Sequence, residues 1–122
     1  MTLHILKAKL HRIKVTESCL DYEGSLTLDP DDMEAVGILP YEKILVANKS
    51  NGSRLETYAI PGKAGSREFC LNGPAAKCGN VGDIVTIMAF SLFENEEAKC
   101  CTPRVIVLDE NNRIIMRRGV AL

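Results

Sequence analysis

A mainly β fold, a small barrel with a few short helices, is what this chain predicts, and three observations predict it. Apolar residues recur in short runs rich in β-branched side chains, turn signals separate those runs, and the strand-helix-strand rhythm of a parallel doubly wound sheet is missing. The length, 122 residues, fits one domain over 1–122. At this size folding buries roughly two thirds of the surface of the unfolded chain, so a core forms without disulfide or metal staples. With 46% hydrophobic and 25% charged residues, disordered and fibrous classes are excluded.

The elements follow in order. Ile5 to Thr16 alternates as a strand, with Lys7, Lys9, His11, Ile13 and Val15 on one face and Ala8, Leu10, Arg12 and Lys14 on the other. Asp29 is placed to cap a helix of about two turns. Pro30 suits its first position, Asp31, Asp32 and Glu34 its positive end, and Gly37 its close. Glu42 to Ala47 and Arg54 to Ile60 flank Asn51-Gly52, a dipeptide that takes the positive φ angles of a tight hairpin turn. Arg67 to Leu71 reads as a strand ending at Asn72-Gly73-Pro74, and Ala75 to Asn80 as a small-residue segment. Ile84 to Leu92 is the most hydrophobic strand and the expected centre of the core. Glu94 to Lys99 suits a helical turn, Val105 to Leu108 a strand, Asn111-Asn112 a turn and Arg113 to Met116 a last strand.

Charge and cysteine usage narrow the function classes. Fifteen Lys plus Arg against sixteen Asp plus Glu give a net charge of -1, which offers no global field to phosphate backbones or anionic lipids. Lys7, Lys9, His11, Arg12 and Lys14 form a basic run, but no aromatic residue lies near it, so a solvated strand face is expected and no nucleic-acid partner. Cys19, Cys70, Cys78, Cys100 and Cys101 make an odd count without a Cys-x-x-Cys pair or a histidine cluster, which is not a zinc pattern. His4 and Lys7 interrupt the start before a signal-length apolar run builds up, and no run approaches the ~20 residues of a membrane helix. A cytoplasmic protein with reduced thiols and no membrane association is expected.

Phosphate-loop, dinucleotide, zinc-protease and nucleophile-elbow motifs are absent. Two polar clusters remain, Lys9 with His11, and Arg54 with Thr57 and Tyr58. Converging cations of this kind suit a small dicarboxylate, because Arg pairs carboxylate oxygens in a fork. Gly24-Ser25 is a third feature. A Gly before Ser permits a strained backbone, and strain that aims the Ser25 hydroxyl at the Gly24 carbonyl would open an N-to-O acyl shift. The pair also occurs at Gly65-Ser66, so the dipeptide alone carries almost no information.

Longer stretches carry more: Lys9-Leu-His-Arg-Ile-Lys-Val-Thr16, Leu20-Asp-Tyr-Glu-Gly-Ser25, Asn51-Gly-Ser-Arg-Leu-Glu-Thr-Tyr-Ala-Ile60, Gly65-Ser-Arg67, Asn72-Gly-Pro-Ala-Ala76 and Gly82-Asp-Ile-Val85. In order and spacing the chain resembles the pyruvoyl-dependent aspartate 1-decarboxylase family, which makes β-alanine for pantothenate synthesis. The resemblance implies a double-psi β-barrel, a homotetramer with active sites between subunits, and self-cleavage between Gly24 and Ser25 into chains 1–24 and 25–122. It further implies that Ser25 becomes a covalent pyruvoyl group forming a Schiff base with L-aspartate, without metal or pyridoxal phosphate. By the same resemblance Thr57 steadies the oxyanion of the acyl shift, Tyr58 is the proton donor, and Lys9 and Arg54 hold substrate carboxylates. Thr57, Gly73, Pro74 and Ala75 line the pocket, and His11, Tyr22 and Asn72 support it.

Three details bear on the transfer. Alternation puts Arg54 and Tyr58 on one strand face, about 13 Å apart at ~3.3 Å per residue, and Thr57 on the other. The segment must therefore bend, or the site must draw on two subunits. Pro74 lacks an amide hydrogen, so a row of backbone donors here is limited to Gly73 and Ala75. Cys19 stands beside the cleavage loop where an acidic or amide residue is expected. A decarboxylase acting on glutamate or another acidic amino acid is the alternative within the class, and a non-catalytic β-barrel binding module the alternative outside it.

Overall fold

The computed structural model describes residues 1–22 and 24–119; Glu23, inside one of the stretches that carry the resemblance, and residues 120–122 lie outside the described part. Strand β1 (Thr2–Lys14) pairs antiparallel with β7 (Ile84–Glu94) and parallel with β8 (Arg104–Leu108). On its other side β7 pairs with β4 (Lys43–Asn48), which forms a hairpin with β5 (Arg54–Pro61). Three-residue strands β2 (Glu17–Cys19), β3 (Leu26–Leu28) and β6 (Cys70–Asn72) extend the sheet beyond β5, and β9 (Ile114–Arg118) closes onto β8. The order among the described residues is β2-β6-β3-β5-β4-β7-β1-β8-β9. This is mainly β with few short helices, as predicted, and consistent with a small β-barrel fold.

The core lies where hydrophobicity placed it. β7 sits between β4 and β1, and its Val85, Ile87 and Ala89 alternate into a cluster with Leu10, Ile13, Ile44, Val46, Leu26, Leu71 and Ile106. Each fully buried aliphatic side chain here contributes roughly 1.5–3 kcal/mol. Helix α1 (Pro30–Val36) is capped as expected: Asp29 accepts the Asp31 amide, and Gly37 closes the helix at φ 78°. Helix α2 (Asn95–Cys100) has a reciprocal cap between Glu94 and Glu97.

Three expectations need correction. The single alternation of β1 breaks: Ala8 and Leu10 point inward with Ile13 and Val15, because the register shifts between Leu10 and Ile13 and Arg12 adopts φ 68°. A bulge of this kind turns the strand over and lets both ends bury their apolar residues. The β4-β5 connection is not a two-residue turn. Asn48 N–H donates to Ser53 and Gly52 N–H returns to the Asn48 carbonyl, so the loop is 49–52 and of the Asn51-Gly52 pair Gly52 alone takes a positive φ. Arg67 to Phe69 stays out of the ladder, leaving β6 as Cys70–Asn72, and β2 and β3 carried no signal of their own. Ala75 to Cys78 belongs to a 3-10 helix, Gly73–Cys78.

Arg67 leaves the strand because it is held elsewhere. At φ 57° its amide donates to Asp29 Oδ2, while its guanidinium donates to Asp29 Oδ2, Asp32 Oδ2 and the Asn112 carbonyl and lies 5.9 Å from the centre of the Phe69 ring. Both carboxylates are fully buried. Burial alone pushes the Asp29 carboxyl up, but the amides of Arg67, Asp31 and Gly65 and the Arg67 charge outweigh it and hold the group below its ordinary value. Asp32 goes the other way. Burial pushes it up to about 6 despite the Arg67 ion pair, Asp29 and Asp31 add to the rise, and among the described residues its Oδ1 has no hydrogen-bond partner.

The two groups oppose each other in pH. Asp29 contributes stability above its unfolded pKa that is lost as pH falls. Asp32, raised, contributes stability that is fully present below its unfolded value and lost as pH rises through about 6. Replacing Asp32 with Asn removes the second dependence, so the melting temperature of Asp32→Asn relative to the wild type rises steadily from pH 4 to pH 7. Thermal melts at matched ionic strength check this, and a difference independent of pH refutes it.

Candidate active site

The geometry around Gly24-Ser25 begins with β6. β2 runs parallel to β6 on one side, with Cys19 opposite Asn72, and β3 runs antiparallel on the other, with Leu26 opposite Leu71. The connection from β2 to β3 therefore crosses the C-terminal end of β6, where Asn72 and Gly73 stand. Gly73 has φ 59°, and a Cβ on it would lie 2.6 Å from the Tyr22 carbonyl oxygen and 2.9 Å from the Gly24 nitrogen. Backbone meets backbone there, which leaves no room for a side chain.

Ser25 sits under this crossing at 1% exposure. Its φ of 111° is the largest among the described non-glycine residues with positive φ, the others being Arg12, Tyr41, Arg67 and Asn112 at 57–70°. Such a conformation costs on the order of 1–3 kcal/mol and persists because neighbours enforce it. Asn72 is the enforcer. Its amide donates to the Ser25 carbonyl at 3.1 Å, and its Nδ2 donates to Ser25 Oγ at 3.1 Å and Thr27 Oγ1 at 2.8 Å. The Tyr58 hydroxyl donates to the Gly24 carbonyl at 3.4 Å. Gly65-Ser66 shares none of this, since Gly65 takes the positive φ there and Ser66 N–H closes a turn onto Lys63.

A cleft of about 380 Å³ opens over Gly24 and Ser25, lined further by Tyr22, Tyr41, Tyr58, Ile60 and Pro61. Tyr41 was not signalled by the sequence. It adopts φ 70°, and its ring lies 6.5 Å from that of Tyr58 at a tilt of 36°. Pro74 is exposed beside the crossing, its ring 4.0 Å from where a Gly24 Cβ would be, and Ala75 is buried behind it. Thr57 occupies the β5 face opposite Tyr58, and among the described residues its hydroxyl has no hydrogen bond to Gly24 or Ser25.

The other cluster lies apart. Arg54, His11, Lys49 and Thr86 line a second cleft of about 240 Å³. The His11 pKa is lowered by burial and then by the charges of Lys9, Arg12, Lys49 and Arg118. The positive potential that disfavours a protonated imidazole favours an anion. β5 does not bend to join the two clefts: five consecutive residues, Arg54 to Tyr58, pair in register with β4. One chain thus brings Tyr22, Gly24, Ser25, Tyr58, Asn72 and Gly73 together and holds Lys9, His11 and Arg54 elsewhere. Lys7, from the basic run, is paired with Glu42 at 2.8 Å. All five cysteines are free thiols, and no group of His, Cys, Asp or Glu among the described residues is placed to hold a metal. Among those residues no helix is long and apolar enough to cross a membrane.

Comparison with known proteins bears on what this arrangement is for. The family model for aspartate decarboxylase matches residues 1–115. An aspartate 1-decarboxylase of Salinibacter ruber is 52% identical over 118 residues, which is 97% of this chain and 81% of that protein. One of Listeria monocytogenes is 50% identical over 112 residues, 92% of this chain and 88% of the relative. One of Dehalococcoides mccartyi is 48% identical over 118 residues, 96% and 95% of the two. With matches of this depth along nearly all its length, the chain belongs to the aspartate decarboxylase family of carboxy-lyases.

Proposed function

We propose that the chain cleaves itself between Gly24 and Ser25 and then decarboxylates L-aspartate to β-alanine and CO2, the step that supplies β-alanine for pantothenate, as a cytoplasmic homotetramer. The observation that carries this reading is Ser25 itself: a buried serine at φ 111°, its hydroxyl and carbonyl both held by Asn72.

In the acyl shift Ser25 Oγ bonds to the Gly24 carbonyl carbon, the Gly24–Ser25 C–N bond breaks, and the nitrogen gains the proton that Oγ loses. Elimination then frees the Gly24 carboxylate and leaves dehydroalanine, which hydrolyses with loss of ammonia to the pyruvoyl terminus. Strain in the starting backbone is relieved as the C–N bond opens. The Tyr58 hydroxyl, on the Gly24 carbonyl, is a donor available to the developing oxyanion, and Thr57, the residue before it on β5, is the second donor this reading assigns. One such donor is commonly worth about a hundred- to a thousandfold in rate. Once formed, the pyruvoyl carbonyl supplies the electrophile and electron sink for loss of CO2, so the reading needs neither pyridoxal phosphate nor a metal.

The rest is done by side chains. Tyr58, at the mouth of the cleft, returns a proton to the carbon that lost CO2. Lys9 and Arg54 hold the substrate carboxylates, with His11 neutral among the cations so that it does not compete for them. Gly73, Pro74 and Ala75 back the Gly24-Ser25 segment in this reading, and Tyr22 lines the cleft beside it. The separation of the two clefts within one chain supports a site completed by the Lys9, His11 and Arg54 face of a neighbouring subunit.

Intact mass is the first measurement. A cut after residue 24 of the 122 leaves 122 − 24 = 98 residues, and the longer fragment carries a blocked, borohydride-reducible terminus. Ser25→Ala leaves one uncut chain and no β-alanine; retained activity in that variant refutes the mechanism. Release of CO2 from aspartate and glutamate in competition separates the two acidic substrates.

Gly73→Ala, which forces a Cβ into the loop backbone, destabilises the uncut Ser25→Ala protein by about 1–3 kcal/mol in urea melts. In the otherwise wild-type chain it slows cleavage at least about tenfold, because the crossing must lift away from Asn72. Wild-type stability and cleavage in this variant would refute the packing argument.

Subunit sharing has its own check. Co-expressed Ser25→Ala and Arg54→Ala chains, each inactive alone, recover up to about a quarter of wild-type activity if each site joins one chain's Ser25 to another's Arg54. Sites contained in single chains recover none.

A further inference from the structure

The Asn72 side chain has a second partner that the cleavage chemistry does not use. Cys70 is buried two residues earlier on β6, and its Sγ lies 3.1 Å from Asn72 Oδ1. We propose that Cys70 is a positioning residue for self-cleavage: its thiol donates to Asn72 Oδ1, fixes which way the amide faces, and so aims Nδ2 at the Ser25 hydroxyl.

The two ends of an asparagine amide are nearly equal in size, so packing alone does not choose between them; the hydrogen-bond partners do. On one side of Asn72 stand Ser25 Oγ and Thr27 Oγ1. Hydroxyls accept or donate with equal ease, and they fit either end of the amide. The thiol on the other side is the asymmetric neighbour. A neutral Cys has one proton to give and is a poor acceptor, so it selects the carbonyl end. Burial, and then the negative charges of Glu17, Cys19 and Glu68 when ionised, push the Cys70 thiol above its ordinary pKa, which keeps that proton in place at neutral pH.

The chemical consequence is specific. When the ester formed by the acyl shift eliminates, Oγ leaves as part of the Gly24 carboxylate and takes on negative charge, and a donor already aimed at that atom lowers the barrier to fragment release. With the amide reversed, Oδ1 would face Oγ and oppose the same charge. The inference rests on the reading that the chain cleaves itself at Gly24–Ser25.

The test compares Cys70→Ser, Cys70→Val and Cys70→Ala precursors, following conversion to the two fragments by intact mass over time, with a thermal melt for each. Ser keeps a donor but, as a hydroxyl, also admits the reversed amide, which at most halves the productive population; Val fills the site without a donor, and Ala covers the case in which Val does not fold. The expected result is cleavage slowed about three- to tenfold in Val and Ala and within about twofold of the wild type in Ser. Val or Ala cleaving at the wild-type rate overturns the proposal. So does Ser slowing as much as they do, because the effect would then be packing alone. A wild-type chain that never cleaves refutes the self-processing reading itself, a result distinct from any difference among the Cys70 variants.

Discussion

The shared edge of β6 governs the candidate site. Three residues, Cys70–Asn72, bond to β2 on one side and β3 on the other. Because those flanking strands run in opposite directions, the chain between them must cross the end of β6 in about six residues. That crossing puts Gly24 and Ser25 against Asn72 and Gly73. It forces a positive φ on a residue with a side chain and demands that the residue beneath have none. Strain at Ser25 is thus a consequence of topology, held by ladder bonds on both sides.

The neighbouring network keeps β3 in place. Asp29 follows β3 directly, caps α1, and receives the Gly65 and Arg67 amides. Arg67 then bridges to Asp32 and to the Asn112 carbonyl, while Asn112 bonds both ways with Lys14. The segment after Ser25 is consequently tied to α1, the 62–69 loop and the end of β1. A new amino terminus at residue 25 would remain anchored by contacts that do not involve the broken bond. The tie is stable rather than optimal, since a buried carboxylate with an unpartnered oxygen carries a desolvation cost that one guanidinium shared between two acids does not fully offset.

β5 reaches two clefts, one at each end, without joining them. Tyr58 faces the strained serine, whereas Arg54 turns with His11 and Lys49 around a separate positive cleft. A straight strand in a continuous ladder fixes that separation, and the ladder resists bending because every bond to β4 would have to shift. In the reaction proposed above, Tyr58 and Arg54 act together, so their separation on one strand is what ties that proposal to a second copy of the chain.

By itself the sequence determined the β class, the α1 cap at Asp29, the central place of β7 and the family, because alternation, capping residues and motif spacing are local properties of the chain. It also drew attention to Ser25, Tyr58, Asn72 and Gly73 through the resemblance. It did not show the bulge at Arg12, the short strands β2 and β3, or the removal of Arg67 from the ladder, since each is imposed by residues distant in the chain. Nor did it separate Gly24-Ser25 from Gly65-Ser66, as a dipeptide has no conformation of its own. Only the tertiary structure decided between them. A short strand paired on both sides bends one serine into a buried, positive φ and leaves the other in a relaxed turn; Cys70 joins the site on that same strand, and Tyr41 joins it through β5, its amide on the Ala59 carbonyl and its ring against Tyr58.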